Sequence, residues 1–244
     1  MNSSHRVRLR AALLLAISAA FIASCPPAPA AITIDDYSVG PITVTKNVQN
    51  AGASALQNGL DSAHVLGGSR SINVGGSGGL IGQSLTIDSD SERLVFTVPE
   101  GSDSYGYFDI GYGSLANPLN LDLSQSYKAL QIVAMGTPAR FPGVALYSAN
   151  GFGGPSIFHP DASLVTKPNG TVVATFPMSS ISIGAGFDIS AITQVNLGVS
   201  RYHSSGSPLQ LLSFSVVPEP TSIWISAVGF AAVWRRRRGD LTGR

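Results

Sequence analysis

Carboxylates and aromatic rings are the side chains here whose grouping suggests chemistry. Asp88, Asp90, Glu92, Glu100, Asp103 and Asp109 lie close together in the sequence. Glycoside cleavage needs two carboxyl groups held about 5–10 Å apart, and such a pair would be sought there. However, Asp88-Ser-Asp-Ser-Glu92 has the composition of a solvated turn. Tyr105, Tyr107, Tyr112 and Phe152 are the candidate rings for stacking on a sugar. In an extended strand Tyr105 and Tyr107 share one face, while Phe108 and Tyr112 share the other. One face goes to the core and the other stays available. Phe152 and Phe158 sit in a Gly-rich stretch, residues 147–160, where binding loops and ordinary turns look alike.

Other chemistry finds little support. Gly75-Gly-Ser77-Gly-Gly79 satisfies the G-x-S-x-G pattern, but β-prone runs flank it on both sides, where a nucleophile elbow needs a helix after it. Catalytic residues are therefore expected to be none. His5, His64, His159 and His203 are far apart and lack metal-ligand spacing. No phosphate-cradling glycine motif occurs. Cys25 is the single cysteine, so disulfides and thiolate metal sites are excluded from the rest of the chain.

These residues must be held by strands. Charged residues make up only 12% of the 244, and glycine (27) and proline (15) are plentiful. No long helical periodicity appears after residue 31. Ten β-prone runs are expected at 41–48, 70–74, 84–87, 93–98, 104–113, 128–135, 143–148, 171–176, 192–200 and 209–217, separated by turn chemistry. Lys167-Pro-Asn-Gly170 carries Asn-Gly between two such flanks, which is a hairpin signal. The spacing predicts an all-β, antiparallel β-sandwich.

The two ends are basic and the middle is not. Between Ala31 and Val217 stand seven basic residues and 12 acids, which argues against a nucleic-acid partner. Residues 1–30 have the order of a secretory signal peptide. A basic start precedes 13 apolar residues (11–23), a signal helix too short to span a bilayer, and small residues allow a cut between Ala30 and Ala31. Residues 22–25, Ile-Ala-Ser-Cys, resemble a bacterial lipobox, which makes Cys25 a lipidation candidate. Residues 31–216 form the expected ectodomain and 217–244 the end segment. The latter holds Pro218, Glu219 and Pro220, then an uncharged run from Thr221 through Trp224 to Trp234, then Arg235, Arg236, Arg237 and Arg238. As a membrane helix those 14 residues would reach about 21 Å, against roughly 30 Å of hydrocarbon. The arginines resist translocation and set the orientation, with the body outside.

This order of triplet, short apolar helix and arginine cluster resembles the PEP-CTERM sorting signal of Gram-negative bacteria. The resemblance implies export, a membrane intermediate and processing near the triplet by the protease exosortase, in bacteria that make exopolysaccharide. The helix is short and six residues follow the arginines, both departures from the pattern. Residues 120–134 and 186–200, together with 34–41, look like strand entries of galactose-binding-like and carbohydrate-binding jelly rolls. That resemblance implies a jelly-roll sandwich and an extracellular polysaccharide as partner. It also implies one Ca²⁺ held by oxygen ligands, for which Asp35 and Asp36 are the candidates; no other cofactor is expected. The resulting expectation is a non-catalytic cell-surface or biofilm-matrix protein of the envelope. A purely structural envelope protein and a polysaccharide-active hydrolase or lyase are the alternatives.

Overall fold

A computed structural model describes residues 30–76, 81–100, 105–124, 127–136, 138, 140–154, 163–203 and 207–218. Expectations for Cys25, Ser77, Phe158, His159 and the segment from Glu219 through Pro220, Thr221, Trp224 and Trp234 to Arg238 fall outside these residues. So does the side chain of Phe152. Among the described residues no helix is long and apolar enough to cross a membrane.

Fifteen strands are described: β1 (Ile32–Asp35), β2 (Ile42–Thr45), β3 (Ala53–Asn58), β4 (Ser69–Gly76), β5 (Ser84–Asp88), β6 (Arg93–Thr97), β7 (Tyr105–Gly113), β8 (Tyr127–Met135), β9 (Gly143–Ser148), β10 (Gly151–Gly154), β11 (Ser163–Thr166), β12 (Thr171–Pro177), β13 (Ser182–Ile183), β14 (Ile192–His203) and β15 (Leu209–Pro218). Each of the ten expected runs contains a strand. One sheet has the order β11-β12-β8-β15-β6-β5-β2, and β1 pairs with the far half of β15 beside β6. The other has the order β13-β10-β9-β14-β7-β4-β3. Every pairing is antiparallel, as in a jelly-roll sandwich. The Lys167–Gly170 turn joins β11 to β12, with Gly170 at φ +81° and its amide donating to the Lys167 carbonyl.

Alternating side chains from both sheets form one core. Phe108, Ile110 and Tyr112 of β7 point inward against Leu85, Phe96 and Phe214 of the opposite sheet. Phe96 meets Phe108 edge-on at 5.0 Å and Tyr202 at 6.0 Å, which ties β6 to β7 and β14 across the sandwich. Bulges keep the apolar set inside where strict alternation would expose it. On β15 the register shifts between Leu211 and Ser213, so Leu209 and Leu211 face inward and so do Phe214 and Val216. β15 runs on through Val217 to Pro218, which pairs with Tyr127, because the central strand of the sheet needs its full ladder.

Candidate functional site

Strand alternation that sends Phe108 and Tyr112 inward sends Tyr105, Tyr107 and Asp109 to the outer face of the second sheet. Register then lines up neighbours across the sheet. One row reads Ser54, Asn73, Asp109, Gly198 and Gly143; the next reads Leu56, Ser71, Gly111, Asn196 and Ala145. Glycine and alanine in the middle of these rows leave a shallow trough of about 220 Å³. Tyr107, Asp109, Asn196, Gly143, Gly198 and Ser200 are among its lining residues.

The Tyr107 ring and a hydrogen-bonded pair, Asn196 and Asp109, line the trough, and Gln194 extends that pair beyond it. Tyr107 is 41% exposed, and its ring lies so close over Gly75 that a Cβ there would collide with it. Gln194 Nε2 donates to Asn196 Oδ1 at 2.7 Å, and Asn196 Nδ2 donates to Asp109 Oδ2 at 3.0 Å. A Cβ on Gly198 would stand 2.8 Å from the Phe108 carbonyl and 3.1 Å from Asp109 Oδ1, so only glycine leaves the carboxylate in place. Burial raises the Asp109 pKa, and the Asn196 amide partly offsets that rise. A half-buried carboxylate with one oxygen held by an amide is a directional acceptor for hydroxyl groups. Tyr147, whose pKa is also raised by burial and then by the charge of Asp109, stands on β9 opposite Gln194. Phe152 of β10 pairs with Tyr147, on the far side of the sheet from Tyr107.

One sequence expectation needs correction. Tyr112 is not a stacking ring: it is fully buried, and its hydroxyl donates to Asp35 Oδ2 at 3.0 Å. Asp35, the last residue of β1, and Asp36, just beyond it, take different partners. Asp35 is buried against Arg70, whose Nη1 donates to its Oδ2 at 2.7 Å; both side chains are 0% exposed. Arg70 also donates to Gln57 Oε1 (2.7 Å) and to the carbonyls of Val39 (2.6 Å) and Gly40 (2.7 Å). Burial drives the Asp35 carboxyl upward, and Arg70, the Tyr37 amide and Tyr112 draw it back.

Asp36 instead joins Ser38 and His64. Ser38 Oγ donates to Asp36 Oδ1 (2.6 Å), and His64 Nδ1 meets both Asp36 Oδ2 (2.7 Å) and Ser38 Oγ (2.9 Å). The residue types are those of a hydrolytic triad, but the wiring is not. A triad places serine and acid on opposite ring nitrogens, whereas here both meet Nδ1. The cluster clips β1 to the residues before β4. The hydrogen bond to Asp36 and its charge raise the His64 pKa. Burial pushes Asp36 up, and bonds from Ser38 and His64 outweigh it and hold it below the ordinary value. The clip is therefore complete between the two shifted values. It is lost as pH rises through the raised His64 value, and lost again as pH falls through the lowered Asp36 value. An NMR titration should place His64 above an ordinary histidine, at about 6.5, and Asp36→Asn should return it there. An unshifted His64 in the unsubstituted chain would contradict the contact.

Residues 216–238 match the family model described as the PEP-CTERM protein-sorting motif. The match begins on the last residues of β15, Val216, Val217 and Pro218. No curated protein matches the chain. Among solved structures, the chain is similar to the family 11 carbohydrate-binding module of a cellulosomal cellulase of Clostridium thermocellum. Identity is 10%, with 79% of this chain and 96% of that chain covered and a TM-score of 0.35. It is also similar to a family 11 module from the same organism in complex with a β-1,3-1,4-mixed-linked tetrasaccharide. Identity there is 9%, with 74% and 97% covered and a TM-score of 0.31. At these scores neither likeness bears on ligand or activity.

Proposed function

We propose that this chain, which carries a PEP-CTERM sorting motif at residues 216–238, is exported to the envelope of a Gram-negative bacterium and there binds a polysaccharide of the cell surface or matrix without cleaving it. The observation that carries the reading is the outer-face trough. It combines an exposed ring on a glycine bed with the Gln194–Asn196–Asp109 hydrogen-bond chain. Sugars present apolar C–H faces and hydroxyl edges, so a ring and a fixed carboxylate meet both halves of that chemistry. Cleavage by paired acids would need a second carboxylate about 5–10 Å from the first. Among the described residues lining the trough, Asp109 is the one carboxylate, which favours binding.

Retention of the full chain on a panel of immobilised neutral and acidic polysaccharides tests this. At least one polymer should be retained. Tyr107→Ala and Asp109→Asn should each weaken that retention about tenfold or more, given about 1.5–3 kcal/mol for a hydrogen bond to a charged group and about 0.5–1.5 kcal/mol for a ring contact beyond its area. No retention at all would leave a purely structural envelope protein. Release of reducing ends would make it an enzyme.

A further inference from the structure

Building on the trough as a glycan-binding face, we infer that its Tyr105–Tyr107 end selects a sugar unit bearing an anionic substituent, a carboxylate or a sulfate, through Arg201 and His203. The bulge in β14 makes this end. Regular pairing stops at Val199 opposite Phe108 and resumes at Tyr202 opposite Gly106. The extra residue shifts the alternation, so Tyr202 returns to the core while Arg201 is exposed. Arg201 sits at φ +53°, a conformation costly for a residue with a Cβ. Such outliers persist where the surroundings fix them, and they gather at binding sites. Arg140 helps to fix this one, donating from Nη1 to the Ser200 carbonyl at 2.8 Å.

The strain sets a cation over a ring. The Arg201 guanidinium carbon lies 5.9 Å from the centroid of Tyr105, and the His203 ring meets Tyr105 edge-on at 6.0 Å. Tyr105 and Tyr107 share the outer face, and Ser200, next to Arg201, lines the trough. The basic platform is thus continuous with the Asp109 site. A guanidinium over a ring still has N–H donors to offer an anion, and its planar fork matches a carboxylate or sulfate in two-point fashion. The outward charges of this sheet are few. The strands of this sheet direct only Asp109, Arg201 and His203 outward among acids, bases and histidines. Between Ala31 and Val217 the chain carries 12 acids against seven bases, so it repels polyanions overall. An anion preference therefore needs a local cationic site. A sugar ring on Tyr107 would present hydroxyls to Asp109 and its charged substituent to Arg201.

The test compares pairs of polymers that differ only in charge: polygalacturonate with its full methyl ester, and dextran sulfate with dextran. Binding of the full chain in nonionic detergent is measured at low salt. At least one charged member should bind about tenfold more tightly than its neutral partner, and the pair that does so assigns carboxylate or sulfate. Arg201→Asn removes the charge with a residue type that tolerates left-handed backbone. It should cut the preference to less than twofold, read as the ratio of charged to neutral binding within the one folded variant. Charged and neutral partners bound equally, or a preference that survives Arg201→Asn, would overturn the anionic selection while the trough stands. No binding to any polymer, neutral ones of the wider panel included, would overturn the trough and this inference together.

Discussion

Replacing Arg70 by methionine should destabilise the folded chain by about 3–5 kcal/mol, the usual cost of leaving one member of a buried ion pair unpaired. Domains of this size are stable by only about 5–15 kcal/mol, so the loss removes a large share. The reason is the number of groups that depend on one guanidinium. Arg70 is fully buried on β4 and joins Asp35 of β1, Gln57 of β3 and the carbonyls of Val39 and Gly40 in the loop that follows β1. Methionine fills similar volume but leaves the Asp35 carboxylate against Tyr37 and Tyr112 with no counter-charge. Because β1 pairs with β15 in one sheet and β4 lies in the other, the pair also closes one end of the sandwich. Urea unfolding of the full chain, followed by far-UV circular dichroism, gives the measurement. The double change Asp35→Leu with Arg70→Met should recover part of the loss, since apolar replacement of both partners removes the unpaired charge. A midpoint shift no larger than that of Arg93→Met, a half-buried surface arginine, would refute the account.

The same network shows where reading the sequence stopped. The long strands were legible because alternating β-branched and aromatic residues leave few other options: Leu94-Val-Phe96 on β6 and Val195-Asn-Leu197 on β14 are of this kind. Gly151-Phe-Gly-Gly154 was not legible as β10. Glycine has no strand preference, and pairing to β9 and β13 makes it a strand. Arg70 opens a β-prone run and reads as a surface end. Its burial depends on Asp35, half a sandwich away, and no local pattern reports that. The trough was half legible. Period two placed Tyr105 and Tyr107 together, and the polar residues at 194, 196 and 200 follow the same parity. Only the register of β7 against β14 shows that Asn196 reaches Asp109, and only the bulge explains why Tyr202 breaks the parity set by Val199. Asp35 and Asp36 are neighbours in sequence, yet β1 ends at Asp35 and the two take different partners, Arg70 and His64, which no local pattern reports.

Changing Arg235, Arg236, Arg237 and Arg238 together to alanine should abolish normal sorting, and this is the largest effect expected of any substitution outside the sandwich. The uncharged run before them is 14 residues, from Thr221 to Trp234. At about 21 Å as a helix it is shorter than the roughly 30 Å of hydrocarbon, so it holds position poorly by hydrophobicity alone. The resistance to translocation should come from the cost of carrying four guanidinium groups into the bilayer, about 2.5–3.5 kcal/mol each at the centre of a membrane helix. Without them the remaining run has neither the length nor the charge to keep the body outside and the end inside. The junction adds a second constraint. The sorting motif begins on Val216, whose side chain is in the core, and β15 pairs with β8 through Pro218. Processing of a folded chain must then fall beyond Pro218, because a cut earlier in β15 would sever the central strand of its sheet. Intact-mass measurement of the mature protein reads both points. The unsubstituted chain should end at or after Pro218, and the quadruple variant should retain its C-terminal residues or leave the envelope fraction. An unchanged mature mass and location in that variant would show that the arginines do not set the sorting. A mature end before Val216 would show that the chain is cut before β15 joins the sheet.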